Sequence, residues 1–97
     1  MVADNTPSVR FPLGQVVATP GALAALEEAG QSGLEFLARH QSGDWGVVCA
    51  SDKRANDRAV IEGERILSAY VLSTGVKIWL ITEWDRSVST ILLPENY

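Results

Sequence analysis

The sequence predicts an α+β fold. A helical hairpin and a third helix pack on a C-terminal three-stranded antiparallel meander, with an N-terminal edge strand as a further candidate element. Three observations carry this expectation. Between residues 20 and 41, apolar residues recur at helical spacing behind two helix-start signals. From residue 65 onward the hydrophobic period switches to two. Helices precede strands, and Gly and Pro punctuate the joints between them.

Residues 1–9 are polar, contain Pro7 and show no periodicity, so they read as a mobile tail ahead of a single domain over residues 10–97. Phe11–Ala18 is apolar and β-branched near its end, but Pro12 and Gly14 interrupt it. That pattern suits a short edge strand or an extended arm. Thr19-Pro20 opens a helix, with Thr as N-cap and Pro at the first helical position. Ala22, Leu23, Ala25, Leu26 and Ala29 follow at helical spacing, and Gly30 stops it. Ser32 and Glu35 fit a capping box for a second helix, with Leu34, Leu37 and Ala38 as its buried stripe and Phe36 beside them. Arg39 and His40 occupy its last turn, where positive charge suits the helix dipole, and Gly43 ends it.

Gly43–Gly46 has turn composition, and Val47–Ala50 is a short apolar run of open type. Ser51-Asp52 caps a third helix to about Glu62, with Gly63 as its stop. Its apolar face is thin: Ala55, Ala59, Val60 and Ile61. Arg65–Leu72, Val76–Glu83 and Val88–Leu93 are the strands, joined by Ser73-Thr74-Gly75 and Trp84–Ser87. Ile66, Tyr70, Leu72, Ile78 and Leu80 face one way. Each strand has a second side as well, Leu67, Ala69 and Val71 on the first strand and Lys77, Trp79, Ile81 and Glu83 on the second, so both faces are fairly apolar. Two arrangements account for that. In the plainer one, arm 11–18 and the helical hairpin lie on opposite sides. In the other, helices cover one face and a partner or second copy covers the other.

Length and charge bound the function. Ninety-seven residues make one modest core and leave no room for a separate cofactor lobe. Eight basic against twelve acidic side chains give a net charge of −4 and a pI near 4.8. That balance argues against a nucleic-acid partner, and no apolar run approaches the ~20 residues of a membrane span. Cys49 is the only cysteine and His40 the only histidine, which excludes an internal disulfide and a structural zinc site. The N-terminus lacks signal-peptide character, so the expected location is cytoplasmic. Phosphate-loop, dinucleotide, zinc-protease and serine-hydrolase motifs are absent, and no cofactor or metal is expected.

Two sets of residues can carry function. His40, the one side chain that titrates near neutrality, is a candidate base if Asp44 or Glu83 orients it. A helix-terminal histidine serving the dipole is the plainer reading. Glu83, Asp85 and Arg86 cluster at one turn, with Thr90 nearby. A carboxylate base and a guanidinium beside a hydroxyl suit phosphodiester chemistry. Arg65 completes this set of His40, Arg65, Glu83, Arg86 and Thr90. Cys49, within Val-Val-Cys-Ala, reads as a small buried hydrophobe rather than a nucleophile. Trp45 and Trp84 lie at expected turns. With Asp85 and Arg86 they are the candidate binding residues, although either Trp can equally fold over the core.

The strings FPLGQVVATPGAL, SGDWG, RANDRA, GERILSAY and IWLITEWDRSVSTILLPE span Phe11 to Tyr97. Together they resemble a family of roughly hundred-residue proteins encoded on bacterial plasmids, integrative elements and gene cassettes. Its members are called plasmid-related proteins, or sometimes type I restriction endonuclease subunit M. The resemblance implies a bacterial mobile-element origin and no particular activity. The methyltransferase name has no physical support here. The chain holds no Gly-rich cofactor loop and no Asn/Asp-Pro-Pro-aromatic turn, since Asn56-Asp57 is followed by Arg58. Val47–Ala50 departs from the polar, acidic stretch expected in that family after Gly46. The leading expectation is a non-enzymatic accessory protein that binds another protein, a host or defence factor or a second copy of itself. The alternative is a metal-independent ribonuclease of the barnase/RelE type, an analogy of element order only.

Overall fold

Thr19 and Pro20 begin a helix as their types require. Thr19 is extended at ψ 153°, its hydroxyl accepts the Ala22 N–H, and Pro20 is the first helical residue. The computed structural model describes residues 9–97, so the expected tail over residues 1–9 lies, except for Val9, outside the described residues. The elements run β1 (Gln15–Ala18), α1 (Pro20–Ala29), α2 (Gly33–Gln41), α3 (Ala50–Glu62), β2 (Ile66–Val71), β3 (Lys77–Thr82) and β4 (Val88–Leu92), followed by a 3₁₀ turn at Pro94–Asn96. The class is α+β, and no described helix is long and apolar enough to cross a membrane.

The sheet order is β1-β4-β3-β2. β2, β3 and β4 form the expected antiparallel meander, and β1 joins it as an edge strand parallel to β4. Gly14 makes that junction possible. Its φ is +65°, and a Cβ there would lie 2.3 Å from the Arg86 carbonyl oxygen.

One core fills the space under the helices. Ala22, Leu26, Phe36 and Leu37 pack on Tyr70, Leu72, Ile78, Leu80 and Ile91. A neighbouring cluster joins Phe11, Trp45 and Ala59 to Ile66. All the strand residues in these clusters share one register parity, so α1, α2 and α3 all lie on the same face of the sheet. The arrangement with arm 11–18 and the hairpin on opposite sides is therefore corrected. The arm enters the plane of the sheet, and among the described residues the second face carries no α-helix.

The helices themselves differ in detail from expectation. Leu34 and Ala38 of α2 are exposed, and the buried stripe is Phe36, Leu37 and His40. Leu23 of α1 is also exposed. Ser32 caps α2 through the Leu34 N–H, but the Glu35 carboxylate accepts from Gln31 Nε2 instead of closing a box. Helix α3 starts at Ala50 with Cys49 as N-cap and no side-chain cap bond, one residue before the expected Ser51-Asp52 start. It buries Asn56 and Ala59 and leaves Ala55 and Ile61 in solvent.

Candidate functional site

Ser68, Thr82 and Ser89 occupy inward positions of three adjacent strands, among aliphatic side chains. His40 reaches them from the last turn of α2. His40 Nδ1 lies 2.6 Å from Ser68 Oγ, and Nε2 lies 2.9 Å from Thr82 Oγ1. Thr82 Oγ1 is 2.7 Å from Ser89 Oγ, which donates to the Leu13 carbonyl at 2.8 Å. All four side chains are fully buried.

The proton order in this line follows from counting hydrogens. The Leu13 carbonyl only accepts, so the single Ser89 hydroxyl proton points there. Thr82 then donates to Ser89, which leaves Thr82 to accept from His40. His40 therefore carries its proton on Nε2, and Nδ1 accepts from Ser68. A second proton on Nδ1 would oppose the Ser68 hydroxyl inside the core. Burial, helped by the Arg86 charge, lowers the His40 pKa from 6.5 to about 3. The expected dipole-serving cation is thus corrected to a neutral imidazole. Phe11 and Trp45 meet its ring edge-on, at centroid distances of 5.1 and 5.8 Å. Neither proposed orienting carboxylate reaches it: Asp44 instead bonds Arg39 Nε at 2.7 Å, which holds the Asp44 carboxyl below the usual range.

Arg86 closes the far end of α3. Nη2 donates to the Ala59 carbonyl at 2.8 Å, and Nη1 to the Glu64 and Glu83 carbonyls at 2.6 and 3.1 Å. The Ala59 carbonyl already accepts the Gly63 and Glu64 N–H groups of the left-handed cap at Gly63, so the guanidinium adds a further donor there and ties the end of α3 to the β3–β4 turn. These bonds also hold Arg86 at φ +60°, where it is the one non-glycine at positive φ among the described residues. Its guanidinium further stacks 5.6 Å above the Phe11 ring.

The remaining nuclease candidates lie elsewhere. Thr90 has the register of Val17 and Ile81 and so sits on the helix-free face, as does Glu83 by alternation from Ile81. Arg65 stacks 5.1 Å over the Tyr97 ring and donates to its hydroxyl. His40 is closed in the core on the helix side, so no common cleft joins His40, Arg65, Glu83, Arg86 and Thr90.

The binding candidates divide. Trp45 is 3% exposed and its Nε1 donates to Asp57 at 3.0 Å, so it is a core residue and not a surface anchor. Trp84 is 66% exposed at the β3–β4 turn. Asp85 is exposed beside it, and hydrogen bonds from Ser87 keep its carboxyl below the usual range. Cys49, expected in the core, is an exposed free thiol. Among the described residues, no three His, Cys, Asp or Glu side chains gather to hold a metal ion.

The helix-free face presents Val17, Leu67, Val71, Trp79, Val88 and Thr90 at partial or full exposure. Among the described residues the C-terminal turn crosses it, where the Tyr97 ring meets Trp79 edge-on at 5.7 Å, and Ala69, Ile81 and Leu92 of this face are buried. Period-two patterning already showed this face as apolar. The His40 line was missed, although Ser68, Thr82 and Ser89 at inward parity among Ile, Leu and Tyr were its visible signal. Compared with protein-family models, curated proteins and solved structures, the chain matches none of them.

Proposed function

We propose that this chain is a non-catalytic protein-binding accessory protein, of the mobile-element type that its sequence resembles. It meets a protein partner with the helix-free face of its sheet. One observation carries the reading: among the described residues α1, α2 and α3 all lie on one side, leaving Val17, Leu67, Val71, Trp79 and Val88 as a partly exposed apolar surface with no α-helix over it. Antiparallel sheets that stand alone normally alternate polar residues on the outer face, and this one does not. Exposed Trp84 at the adjoining turn adds a side chain of the type that anchors interfaces. The two groups best suited to chemistry, His40 and Arg86, are bonded within the fold.

The test is affinity capture from bacterial lysate with the tagged full chain, with and without nuclease, beside Val71→Lys, Thr90→Lys and Trp84→Ala. The expected result is a stoichiometric protein that survives nuclease and is lost on the lysine variants, while their unfolding stays cooperative. A partner that binds every variant equally sinks the reading. So does capture that nuclease abolishes.

A further inference from the structure

The two edges of the sheet are treated differently. At β2, Asn56 seals the outer edge by donating from Nδ2 to the Leu67 carbonyl at 2.8 Å and accepting the Leu67 N–H at 3.2 Å. The Ala69 N–H bonds the Trp45 carbonyl at 3.1 Å, and the Ala69 carbonyl accepts from Val47 N–H at 2.8 Å. At β1, Gln15 N–H bonds Ser87 O and Thr19 N–H bonds Ile91 O. The odd-numbered residues thus turn their backbone groups toward β4, and Val16 and Ala18 turn theirs outward. Those outward groups have no backbone partner among the described residues.

Natural sheets guard a free edge with charge, a bulge or a covering element. This edge has no such charge: none stands between Arg10 and Glu27. Val16 and Val17 are 44% and 38% exposed on it. We propose that β1 pairs antiparallel, across a two-fold axis, with β1 of a second copy of this chain.

The register follows from the outward residues. Val16 stands opposite Ala18 of the second copy and Ala18 opposite its Val16, each exchanging backbone hydrogen bonds, while the two Val17 side chains meet at the axis. An uncharged strand can face its own copy without like-charge repulsion, and the same sequence supplies the same twist on both sides. Pro12 and Pro20 bracket the strand and keep the contact small, which places the dimer in the weak, concentration-dependent class. The pairing also joins two helix-free faces into one continuous surface. It does not depend on the partner reading: the unpaired backbone of the β1 edge carries it, and Val16, unlike Val17, lies on the helix side of the sheet and tests it apart from that face.

Sedimentation equilibrium of the full chain from about 10 µM to 1 mM tests it. The expected mass rises from 10.5 kDa toward twice that value. Val17→Lys sets two ammonium groups face to face, and Val16→Pro removes an outward N–H that β4 does not use. Each is expected to weaken association at least about tenfold with an unchanged unfolding midpoint. Hydrogen exchange at the Val16 and Ala18 amides is expected to slow as concentration rises. A monomer throughout overturns the proposal, as does a dimer that survives both variants. Concentration-independent protection of the two amides in a monomer also overturns it, because the chain's own N-terminal residues then occupy the edge.

Discussion

His40 Nε2 donates to Thr82 Oγ1 at 2.9 Å, a direction fixed from the Leu13 carbonyl at the other end of the line. The hydroxyls of Thr82 and Ser89 each have one hydrogen, and the Leu13 carbonyl has none, so only one ordering satisfies them all. The line ties α2, three strands and the arm before β1 to one another through four fully buried side chains. A buried polar network of this kind stabilises when every member is satisfied and is costly when one is removed. Here no buried side-chain polar atom among the described residues lacks a partner.

His40 makes stability depend on pH. The unfolded chain takes up the His40 proton below about pH 6.5, whereas the folded chain holds off until about pH 3. A depressed folded pKa contributes stability that is complete above pH 6.5 and is lost as pH falls through that window toward 3. Urea unfolding is expected to show stability falling by up to about 1.4 kcal/mol per pH unit between pH 6 and 5. His40→Gln should flatten that slope and cost about 2–3 kcal/mol at pH 7, since one amide cannot serve both Ser68 and Thr82. The His40 ring signal in NMR is expected to stay neutral at pH 5. An ordinary titration near 6.5 would contradict the assigned tautomer and its burial.

Asn56 substitutes for a neighbouring strand at the β2 edge. Its amide reproduces both backbone bonds that such a strand would make with Leu67. Asn56→Ala is expected to destabilise by about 2 kcal/mol, because it leaves a half-buried donor and acceptor unpaired. Asn56→Asp keeps the acceptor and loses the donor, and should fall between the two. The Leu67 amide is expected to exchange faster than in the parent in Asn56→Ala, and to stay protected in Asn56→Asp, which keeps the oxygen that accepts its N–H. Unchanged Leu67 exchange in Asn56→Ala would show that the edge is closed by other means.

The strands and hairpin joints were legible because their determinants are local. Thr19-Pro20, Gly30 and the period-two segments act within a few residues, and each appears at its expected place. What failed depends on distant partners. Helical spacing alone put Leu34 and Ala38 in the buried stripe of α2, where the structure has Phe36 and His40 beside Leu37. His40 turns inward because Ser68 and Thr82, 28 and 42 residues away in sequence, receive both its nitrogens. Cys49 was misjudged for a related reason. Its apolar neighbours suggested burial, but the chain there leaves the β2 edge at Val47 and starts α3, exposing the thiol. Arg86 was read as a binding or phosphodiester-stabilising group because nothing local shows that the end of α3 lies against the β3–β4 turn.

Arg86 yields a prediction in which backbone and side-chain effects oppose each other. Its guanidinium bonds the Ala59 and Glu64 carbonyls, so Arg86→Ala cuts the tie between the end of α3 and the β3–β4 turn. The alanine also inherits φ +60° without those bonds to hold it there. The expected loss is about 2–3 kcal/mol, from charge-assisted bonds together with left-handed strain. Arg86→Gly loses the same bonds but adopts this φ freely, so it should be more stable than Arg86→Ala by about 1 kcal/mol. Arg86→Lys keeps the charge but not the fork that spans two carbonyls, and should recover only part of the loss. Both uncharged variants remove a cation that holds the His40 pKa down, so that pKa should rise. Denaturant midpoints give the stability order, and the His40 ring shifts report the coupling. Alanine equal to or above glycine in stability would mean that the turn relaxes once the guanidinium is gone.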